Sequence, residues 1–197
     1  MTDANSLAWL CRLEIGTRRA IEWLGDNYSI KITEVVFNEA KNNIPYTEDD
    51  ALSYLEGLRS HIDRELWYYD EKFDSRLENL PPSVKGHGKR VDKGERTAGI
   101  LALKTSRRNE YPITLITDDN DATEPLEHIF EIEKIGPVED SFGMLRYIWS
   151  RNSEKIAKRS INIALQDLKS FMSGDRTPDE NFKGAKRKLE RMTEKPN

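Results

Sequence analysis

Apolar residues recur every three to four positions over most of this chain, and short alternating or β-branched runs interrupt that pattern. The first spacing places apolar side chains on one face of an α-helix, and alternation places them on one face of a strand. The helices predicted in the first half of the chain are Leu7–Leu24, Glu34 to just before Pro45, and Thr47–Leu80. Within the longest of these, Gly57 and the aromatic cluster Trp67–Tyr69 are the two candidates for a break.

The same pattern, followed to residue 172, alternates short strands with helices. The predicted strands are Ile30–Thr33, Ile113–Thr117 and Ile129–Ile132. The further predicted helices are Thr97–Ser106, Ala122–His128, Val138–Trp149 and Arg151–Met172, with a turn at Ile135–Pro137. Strands that alternate with helices are typical of a sheet covered by helices on both faces. The sequence therefore predicts an α/β fold in three layers, α/β/α.

Composition narrows the class of protein. The chain is 37% hydrophobic and 34% charged over 197 residues, which predicts one domain, with or without an appendage. No run of eighteen apolar residues is present, and the N-terminus lacks a basic region followed by an apolar stretch, so neither a membrane span nor a secretory signal is predicted. Cys11 is the only cysteine, which fits a reducing cytoplasm. With so few cysteines and histidines, a structural zinc site is not expected.

The formal net charge of −4 is distributed unevenly along the sequence. Lys183–Lys195 holds six basic residues against Glu190 and Glu194, so its charge is about +4 and that of the remainder about −8. A negative body with a basic tail suggests a centre that attracts metal ions and a place where a polyanion can bind. A solvated basic helix end is the other interpretation of the tail.

Three acids follow the predicted strand Ile113–Thr117 within four positions, namely Asp118, Asp119 and Asp121. In an open α/β sheet, ligands bind at the carboxyl edge, where strands end. Carboxylates crowded there repel one another unless a cation lies between them, which favours a hard metal ion. The alternative is an acidic turn between strand and helix, with one Asp as the helix N-cap.

Acids also stand at three other boundaries between predicted elements. Asp3 precedes the first helix, and Glu39 lies on the helix after the first predicted strand. Asp92 or Glu95 opens the small-residue helix that begins near residue 97. Together with Asp118 they form an ordered set of acids, and this order resembles that of the PIN-domain nucleases.

Each of the four motifs of that family has a counterpart in this chain. The first is an Asp followed by a small polar residue, and Asp3-Ala-Asn-Ser-Leu7 resembles it. The second is a Glu on the helix after strand two, which Ile32–Glu39 resembles closely. The third, an acid at the start of a small-residue helix, is similar to Asp92-Lys-Gly-Glu95, and the fourth, a strand ending in acids, to Leu115–Asp119. The resemblance covers about residues 3 to 151.

The resemblance implies a three-layer α/β/α fold with a short central parallel sheet, and a metal-dependent ribonuclease that uses Mg²⁺ or Mn²⁺. The implied catalytic metal ligands are Asp3, Glu39, Glu95 and Asp118. Asp119 or Asp121 would hold a second metal or its waters, and Asn5 and Ser6 would orient ligands. Asp92 is also placed beside the ligands, although a helix cap is the alternative for it, as it is for Asp121.

Two features depart from the family. Only Met1 and Thr2 precede Asp3, so the apolar first strand of the family is not expected. A long helical insertion at about 47–90 lies inside the nuclease domain, predicted over 1–151, and a helical extension with a basic tail follows over 152–197. The insertion ends in a basic loop in which Lys85, Lys89 and Arg90 are predicted to contact RNA phosphates.

The resemblance leaves more than one role open. The leading interpretation is a cytoplasmic endoribonuclease, either the toxin of a toxin–antitoxin pair or a related RNA-processing protein. Its partners would be RNA and an antitoxin or another protein, with a homodimer also open. One alternative is an inactive PIN-like scaffold that binds protein or RNA. Another is a helical interaction protein with incidental acids, which would explain the tail and the long helical region but not the ordered motifs.

Overall fold

The structure, a computed structural model, describes residues 1–64, 69–85, 91–109 and 111–172. It divides into two compact units: unit 1 is formed by Met1–Ala8 and Ile30–Asp140, and unit 2 by Trp9–Ser29 and the chain from Ser141 onward. The fold is mixed α/β, mostly helical, with a few short strands, most of them parallel. None of the helices in these ranges is long and apolar enough to cross a membrane.

The elements are numbered in chain order. The helices of the described residues are α1 (Ala4–Arg12), α2 (Ala20–Gly25), α3 (Glu34–Asn43), α4 (Asp49–Gly57), α5 (Glu71–Glu78), α6 (Pro82–Lys85), α7 (Lys93–Asn109), α8 (Asn120–Ile132), α9 (Ser141–Asn152) and α10 (Lys158–Met172). The strands are β1 (Glu14–Ile15), β2 (Arg18–Arg19), β3 (Ile32–Thr33), β4 (Ile62–Asp63), β5 (Leu115–Ile116) and β6 (Val138–Glu139).

In unit 1, β5 lies between two parallel neighbours. On one side, the amides of Leu115 and Thr117 donate to carbonyls at and just before β6, at 3.1 and 2.9 Å. On the other side, the carbonyl of Ile116 accepts from the amide of Asp3 at 2.8 Å, and its amide donates to the carbonyl of Met1 at 2.9 Å. Successive residues of a strand present their backbone groups to opposite sides, so β5 is the central strand of this group.

The start of the chain therefore adds a single parallel β-bridge beside β5, which the sequence does not predict. Thr2 pairs in parallel with Ile116, and backbone hydrogen bonds of this kind need no particular side chain. Because the paired strands are parallel, Asp3 and Asp118 both follow strands at the same carboxyl edge. This edge is where ligands bind in open α/β sheets.

A second parallel pair, β3 with β4, aligns Ile32 with Ile62 and Thr33 with Asp63. The helical stretch predicted over Thr47–Leu80 is broken at Gly57, one of its two candidate breaks, but the strand β4 that follows was not predicted. Most of the other candidate, Trp67–Tyr69, lies outside the described residues. The helix α4 ends at Gly57, a 3-10 turn follows, and β4 forms before the chain becomes helical again. Glycine weakens a helix, and the pairing partner of β4 lies thirty residues earlier, so periodicity does not reveal it.

Helix α7 connects these strand pairs through its packing. It contacts β3 and β5 as well as α3, α5 and α8. Its apolar positions are buried, among them Ala98, Ile100 and Leu103. The small-residue helix predicted over Thr97–Ser106 is confirmed, and it extends further at both ends.

The strand predicted over Ile129–Ile132 is wrong, because α8 continues through it to Ile132. Ile129 and Phe130 are buried there, as a helix packed on α7 requires. The turn predicted at Ile135–Pro137 lies slightly earlier, at Glu133 and Lys134, and the carbonyls of Ile135 and Pro137 already accept from the amides of Ile113 and Leu115. Gly136 between them has a φ of +149°, and a Cβ on it would lie 2.4 Å from the carbonyl oxygen of Ile113, so this position needs glycine.

In unit 2, the helix predicted over Leu7–Leu24 is interrupted by a hairpin. Helix α1 ends at Arg12, and β1 and β2 pair antiparallel around Gly16, whose φ is +70°. The indole nitrogen of Trp23 on α2 donates to the carbonyl of Ile15 at 3.1 Å. The apolar residue of the hairpin, Ile15, is buried like those of α1 and α2. The spacing of apolar residues therefore does not reveal that a hairpin separates the two helices.

The rest of unit 2 is helical. The first residues of the predicted helix Val138–Trp149 form β6 in unit 1, and α9 begins only at Ser141. The predicted helix Arg151–Met172 is shorter than expected, because α10 starts at Lys158. Within this unit α10 contacts β1 and α9, and the guanidinium of Arg12 lies 4.1 Å from the ring centre of Phe171.

Candidate functional site

Asp3 and Asp118 are joined by a set of short hydrogen bonds in unit 1. One carboxylate oxygen of Asp3 accepts from the amide of Ser6 at 2.7 Å, and the other accepts from the amide of Asp118 at 3.1 Å. The hydroxyl of Ser6 donates to the carboxylate of Asp118 at 2.6 Å. Asp3 thus stabilises the start of α1 in the position of an N-cap and links that helix to the end of β5.

Asp3 is almost fully buried, with 1% of its surface exposed. Burial raises the pKa of this carboxyl because it penalises the charged form, while hydrogen bonds from Thr117, Ser6 and Asp118 act in the opposite direction. The Ser6 side chain, which the resemblance places beside the ligands, therefore contacts two of the four implied ligands. The side chain of Thr117 also forms a hydrogen bond with Asp3.

Glu39 reaches this region from α3. Its carboxylate lies directly over Gly94: a Cβ placed on that glycine would be 2.6 Å from Oε2 of Glu39. Partial burial raises the pKa of Glu39, Lys93 opposes the shift, and repulsion from Asp92 and Asp3 adds to it. Glycine is needed before Glu95 because a side chain at position 94 would collide with the carboxylate of Glu39, which lies against the backbone of α7.

Glu95 lies on the first turn of α7 and is 8% exposed. Burial is the main cause that raises the pKa of Glu95 to about 7, and repulsion from Asp3, Asp119 and Asp92 contributes. Mutual repulsion of this kind requires the carboxylates to be near one another. Asp3, Glu39, Glu95 and Asp118, called the acidic site below, are therefore contributed by four separate parts of unit 1.

Asp119 and Asp121 differ in their surroundings. Asp119 is the N-cap of α8, and its side chain accepts from the amide of Asp121 at 2.7 Å. Asp121 is exposed in the first turn of α8. The helix cap considered for Asp121 is therefore provided by Asp119, which is also the one whose charge repels Glu95.

Asn5 and Asp92 lie at the margin of the acidic site. The side chain of Asn5 accepts from the amide group of Asn43 at 2.8 Å, so it links α1 to α3. Asp92 is exposed just before α7, and its backbone carbonyl accepts from the amide of Arg96 at 2.9 Å. Its charge nevertheless raises the pKa of both Glu39 and Glu95.

The basic loop predicted to contact RNA is largely outside the described residues. Lys89 and Arg90 fall in the range 86–90, and Lys85 is the last residue of α6, without a described side chain. The contact of these three residues with RNA phosphates stays a prediction.

Sequence reasoning missed polar groups that support the acidic site. Thr33 and Thr97 are buried, and their hydroxyls lie 3.1 Å apart, which joins the start of α3 to α7. Thr97 also donates to the carbonyl of Gly94 at 3.0 Å. Asp140 follows β6 and so stands at the same carboxyl edge as Asp118. For Asp140 the available signal was an acid directly after a short strand, whereas the contact of Thr33 on β3 with Thr97 on α7 depends on tertiary packing.

The chemistry of the acidic site suits a hard divalent cation, because its donors are carboxylate oxygens. A cation would also relieve the repulsion that raises the pKa of Glu95. As the side chains stand in residues 1–64, 69–85, 91–109 and 111–172, no group of three or more His, Cys, Asp or Glu is arranged so that it could hold a metal ion. Ligation would require these carboxylates to adjust their rotamers.

The resemblance to the PIN-domain nucleases depends on motif order, since each of its motifs is short. The acids of those motifs come from segments far apart in sequence and meet in one unit. No protein-family model matches the chain, and comparison with curated proteins and with solved structures likewise finds no match.

Proposed function

We propose that this protein is a metal-dependent endoribonuclease with a PIN-like, three-layer α/β/α fold. One observation carries the proposal. Asp3 and Asp118 each follow a residue of the parallel pairing between Thr2 and Ile116 and are joined by hydrogen bonds directly and through Ser6, while the charge of Asp3 raises the pKa of both Glu39 and Glu95. Buried carboxylates that repel one another at a carboxyl edge of strands are costly for a fold, and a cation that binds there offsets the cost.

The implied roles follow from these contacts. Asp3, Glu39, Glu95 and Asp118 would hold Mg²⁺ or Mn²⁺, with Asp119 and Asp121 as supporting acids. When bound, the cation supplies positive charge that stabilises the transition state of phosphodiester cleavage. The hydroxyl of Ser6 fixes the orientation of Asp118, and the amide of Asp118 fixes that of Asp3.

RNA is the proposed substrate, and the basic loop is the proposed contact for its phosphates. Lys85, Lys89 and Arg90 immediately precede α7, whose first turn carries Glu95. Phosphate contacts supply affinity without reading base sequence and weaken as salt rises. The cellular role would be that of a toxin held by an antitoxin, or of an RNA-processing enzyme with another protein partner, in the cytoplasm.

The proposal is tested by cleavage of single-stranded RNA with Mg²⁺ or Mn²⁺, comparing the wild type with Asp118→Asn. The wild type should cleave, EDTA should abolish cleavage, and Asp118→Asn should lower the rate by two orders of magnitude or more, as is usual when a metal ligand or its partner is lost. Asn keeps the shape of Asp and can still accept from Ser6, so a large loss of folding is not expected.

Asp50→Asn is the control. It makes the same chemical change at an exposed residue in the first turn of α4. It should cleave as fast as the wild type. Equal cleavage by Asp118→Asn would remove Asp118 from the assigned site. If no metal-dependent cleavage occurs on structured or unstructured RNA, the inactive PIN-like scaffold becomes the better account.

A further inference from the structure

A group of exposed cations covers buried carboxylates on another part of unit 1. Glu133 follows α8, and its side chain is only 5% exposed. Its carboxylate pairs with Lys72, with Arg76 at 3.0 Å and with Arg107 at 3.5 Å. Two of these cations come from α5 and one from α7, so three helix segments meet at one acid.

Two further pairs extend this arrangement along α5 and α7. Lys104 lies 2.6 Å from Asp70, and Arg96 lies 2.6 Å from Asp74. Asp70 and Asp74 have side chains that are 7% and 13% exposed. In every pair of the group the side chain of the acid is therefore much less exposed than that of the cation.

The cations are much more exposed than their partners. The exposed fraction of the side chain is between 35% and 50% for each of the five cations, which are Lys72, Arg76, Arg96, Lys104 and Arg107. Five cations share three carboxylates, so two positive charges remain in excess, and the outermost charged groups are positive. Burial would raise the pKa of Glu133, but Lys72 and Arg76 hold it below its ordinary value, so this carboxylate stays charged and keeps the cations in place.

The acids that are exposed on the same helix do not cancel this excess. Glu71 and Glu78 lie on α5 with Lys72 and Arg76. At 3.6 residues per turn, they stand roughly 100° or more around the helix from both cations. They therefore present their charge in another direction.

The cations of α7 form a line along that helix. Lys104 and Arg107 follow Arg96 by eight and eleven residues, which places them roughly 80° and 20° from it around the helix and spreads the line over about 16 Å. Arg96 lies on the first turn of α7, as Glu95 does, but about 100° around the helix from it. The cations therefore start at the same end of α7 as the acidic site and continue along another face of the helix.

We propose that Lys72, Arg76, Arg96, Lys104 and Arg107, here called the cationic track, bind the phosphate backbone of RNA along the face of α5 and α7 and toward the end of α7 that carries Glu95. The inference rests on the proposed function for the identity of the polyanion. Charges held by buried partners are prepared for phosphates, because little side-chain entropy is lost on binding. Isolated surface ion pairs contribute little to stability, so stabilisation alone is a weak reason for five cations over three acids.

The test compares two double variants of the full chain for binding to a fluorescently labelled single-stranded RNA, in EDTA so that no cleavage occurs. Lys72→Gln/Arg76→Gln removes two cations that share Glu133. Lys41→Gln/Arg59→Gln is the control, because these two cations share the exposed carboxylate of Glu56 in the same unit. The readouts are affinity by anisotropy and its dependence on salt concentration.

The track variant should bind RNA roughly tenfold more weakly at low salt, and its plot of log affinity against log salt should be shallower by roughly 1 to 2. The control should match the wild type in both respects. Unchanged affinity and slope in the track variant, or no RNA binding by the wild type, would overturn the proposal.

Glu133→Gln separates phosphate binding from a structural role, since it breaks the same ion pairs but retains all the cations of the track. Its plot of log affinity against log salt should keep the slope of the wild type, because as many cations remain to contact phosphates. If its slope falls as that of the double variant does, the ion pairs act through the fold and the track is refuted. Track-dependent binding without any metal-dependent cleavage would support the track and overturn the nuclease, so the two failures are distinguishable.

Discussion

At the scale of single residues, the acids of unit 1 differ in what compensates their charge. Asp3 accepts hydrogen bonds from Ser6 and Asp118 while fully buried. Glu133, by contrast, is surrounded by cations that lower its pKa. Glu95 has mainly burial and other acids around it, and its pKa rises to about 7. Compensation by cations is typical of structural acids, whereas uncompensated repulsion marks a candidate functional site.

Glu95→Gln should therefore stabilise the metal-free protein in a pH-dependent way. The pKa of Glu95 is raised from 4.5 to about 7 in the folded state, so the folded state binds the proton more tightly than the unfolded state. The charged form then costs stability that accumulates as pH rises from about 4.5 to about 7, up to about 3 kcal/mol. Gln, which carries no charge, avoids that cost.

The measurement is the unfolding temperature of both proteins in EDTA from pH 4.5 to pH 8. The variant should exceed the wild type increasingly across this range and show little difference at its acidic end. If the two unfolding temperatures differed as much at pH 4.5 as at pH 8, the difference would come from packing and not from charge. A variant less stable at pH 8 would contradict the inferred repulsion.

At the scale of elements, α7 determines how close its neighbours can come. Gly99 lies where α7 meets α5: a Cβ on it would be 2.5 Å from Cζ of Phe73 and 3.3 Å from a methyl of Leu126 on α8. Phe73 is fully buried, so its ring cannot move toward solvent. The close packing that the small residues of α7 predict is thus seen at Gly99, which lies against the ring of Phe73.

Gly99→Ala should destabilise the protein by about 1–3 kcal/mol, because an added methyl in a packed core forces neighbouring side chains to shift. Gly57→Ala is the matched control, since nothing lies within 4 Å of a Cβ on that glycine at the end of α4. It should be neutral or stabilising by up to roughly 1 kcal/mol, through the better helix propensity of alanine. Chemical denaturation measures both, and equal effects of the two changes would contradict the close approach of α7 and α5.

At the scale of the whole molecule, the net charge of −4 conceals a separation of charge by sign within unit 1. The acidic site concentrates negative charge at the carboxyl edge of β5, and the cationic track places exposed positive charge over Glu133. A divalent cation and a polyanion would thus meet different surfaces of one unit. Such a division suits an enzyme that holds a metal ion and guides a nucleic acid.

Mg²⁺ or Mn²⁺ should accordingly raise the unfolding temperature of the wild type at pH 8. A ligand that binds only the folded state stabilises it by about 2.7 kcal/mol at a hundredfold excess over its Kd. Asp118→Asn should show a clearly smaller rise, because one proposed ligand is lost. The comparison uses thermal unfolding after removal of metal by EDTA, with a monovalent salt of equal ionic strength as control. Identical shifts in the two proteins would exclude Asp118 from metal binding.

The sequence by itself determined the mixed α/β class, which is confirmed, and the elements whose signals are local. Helix α3 begins at Glu34 as predicted, because Thr33 caps it by accepting from the amide of Val36 at 3.2 Å. The small residues of α7 also predicted its close packing, because such packing restricts the residue type. The turn before β6 was expected about two residues too late, because the glycine at position 136 is required by close approach to Ile113 and not by the turn itself. The order of acids along the chain suggested which carboxylates to compare.

Only the tertiary structure decided how distant segments combine. The strand β4 forms because Ile62 pairs with Ile32, and Thr2 forms a parallel bridge because Ile116 of β5 has backbone groups free to pair on that side. The carboxylates of Asp3 and Asp118 are joined through Ser6 across more than a hundred residues, and Glu133 gathers cations from two other helices. Hydropathy periodicity reports which face of a segment is buried, but not which partner buries it. Short strands and charge clusters depend on that partner, so they appear only when the chain is folded.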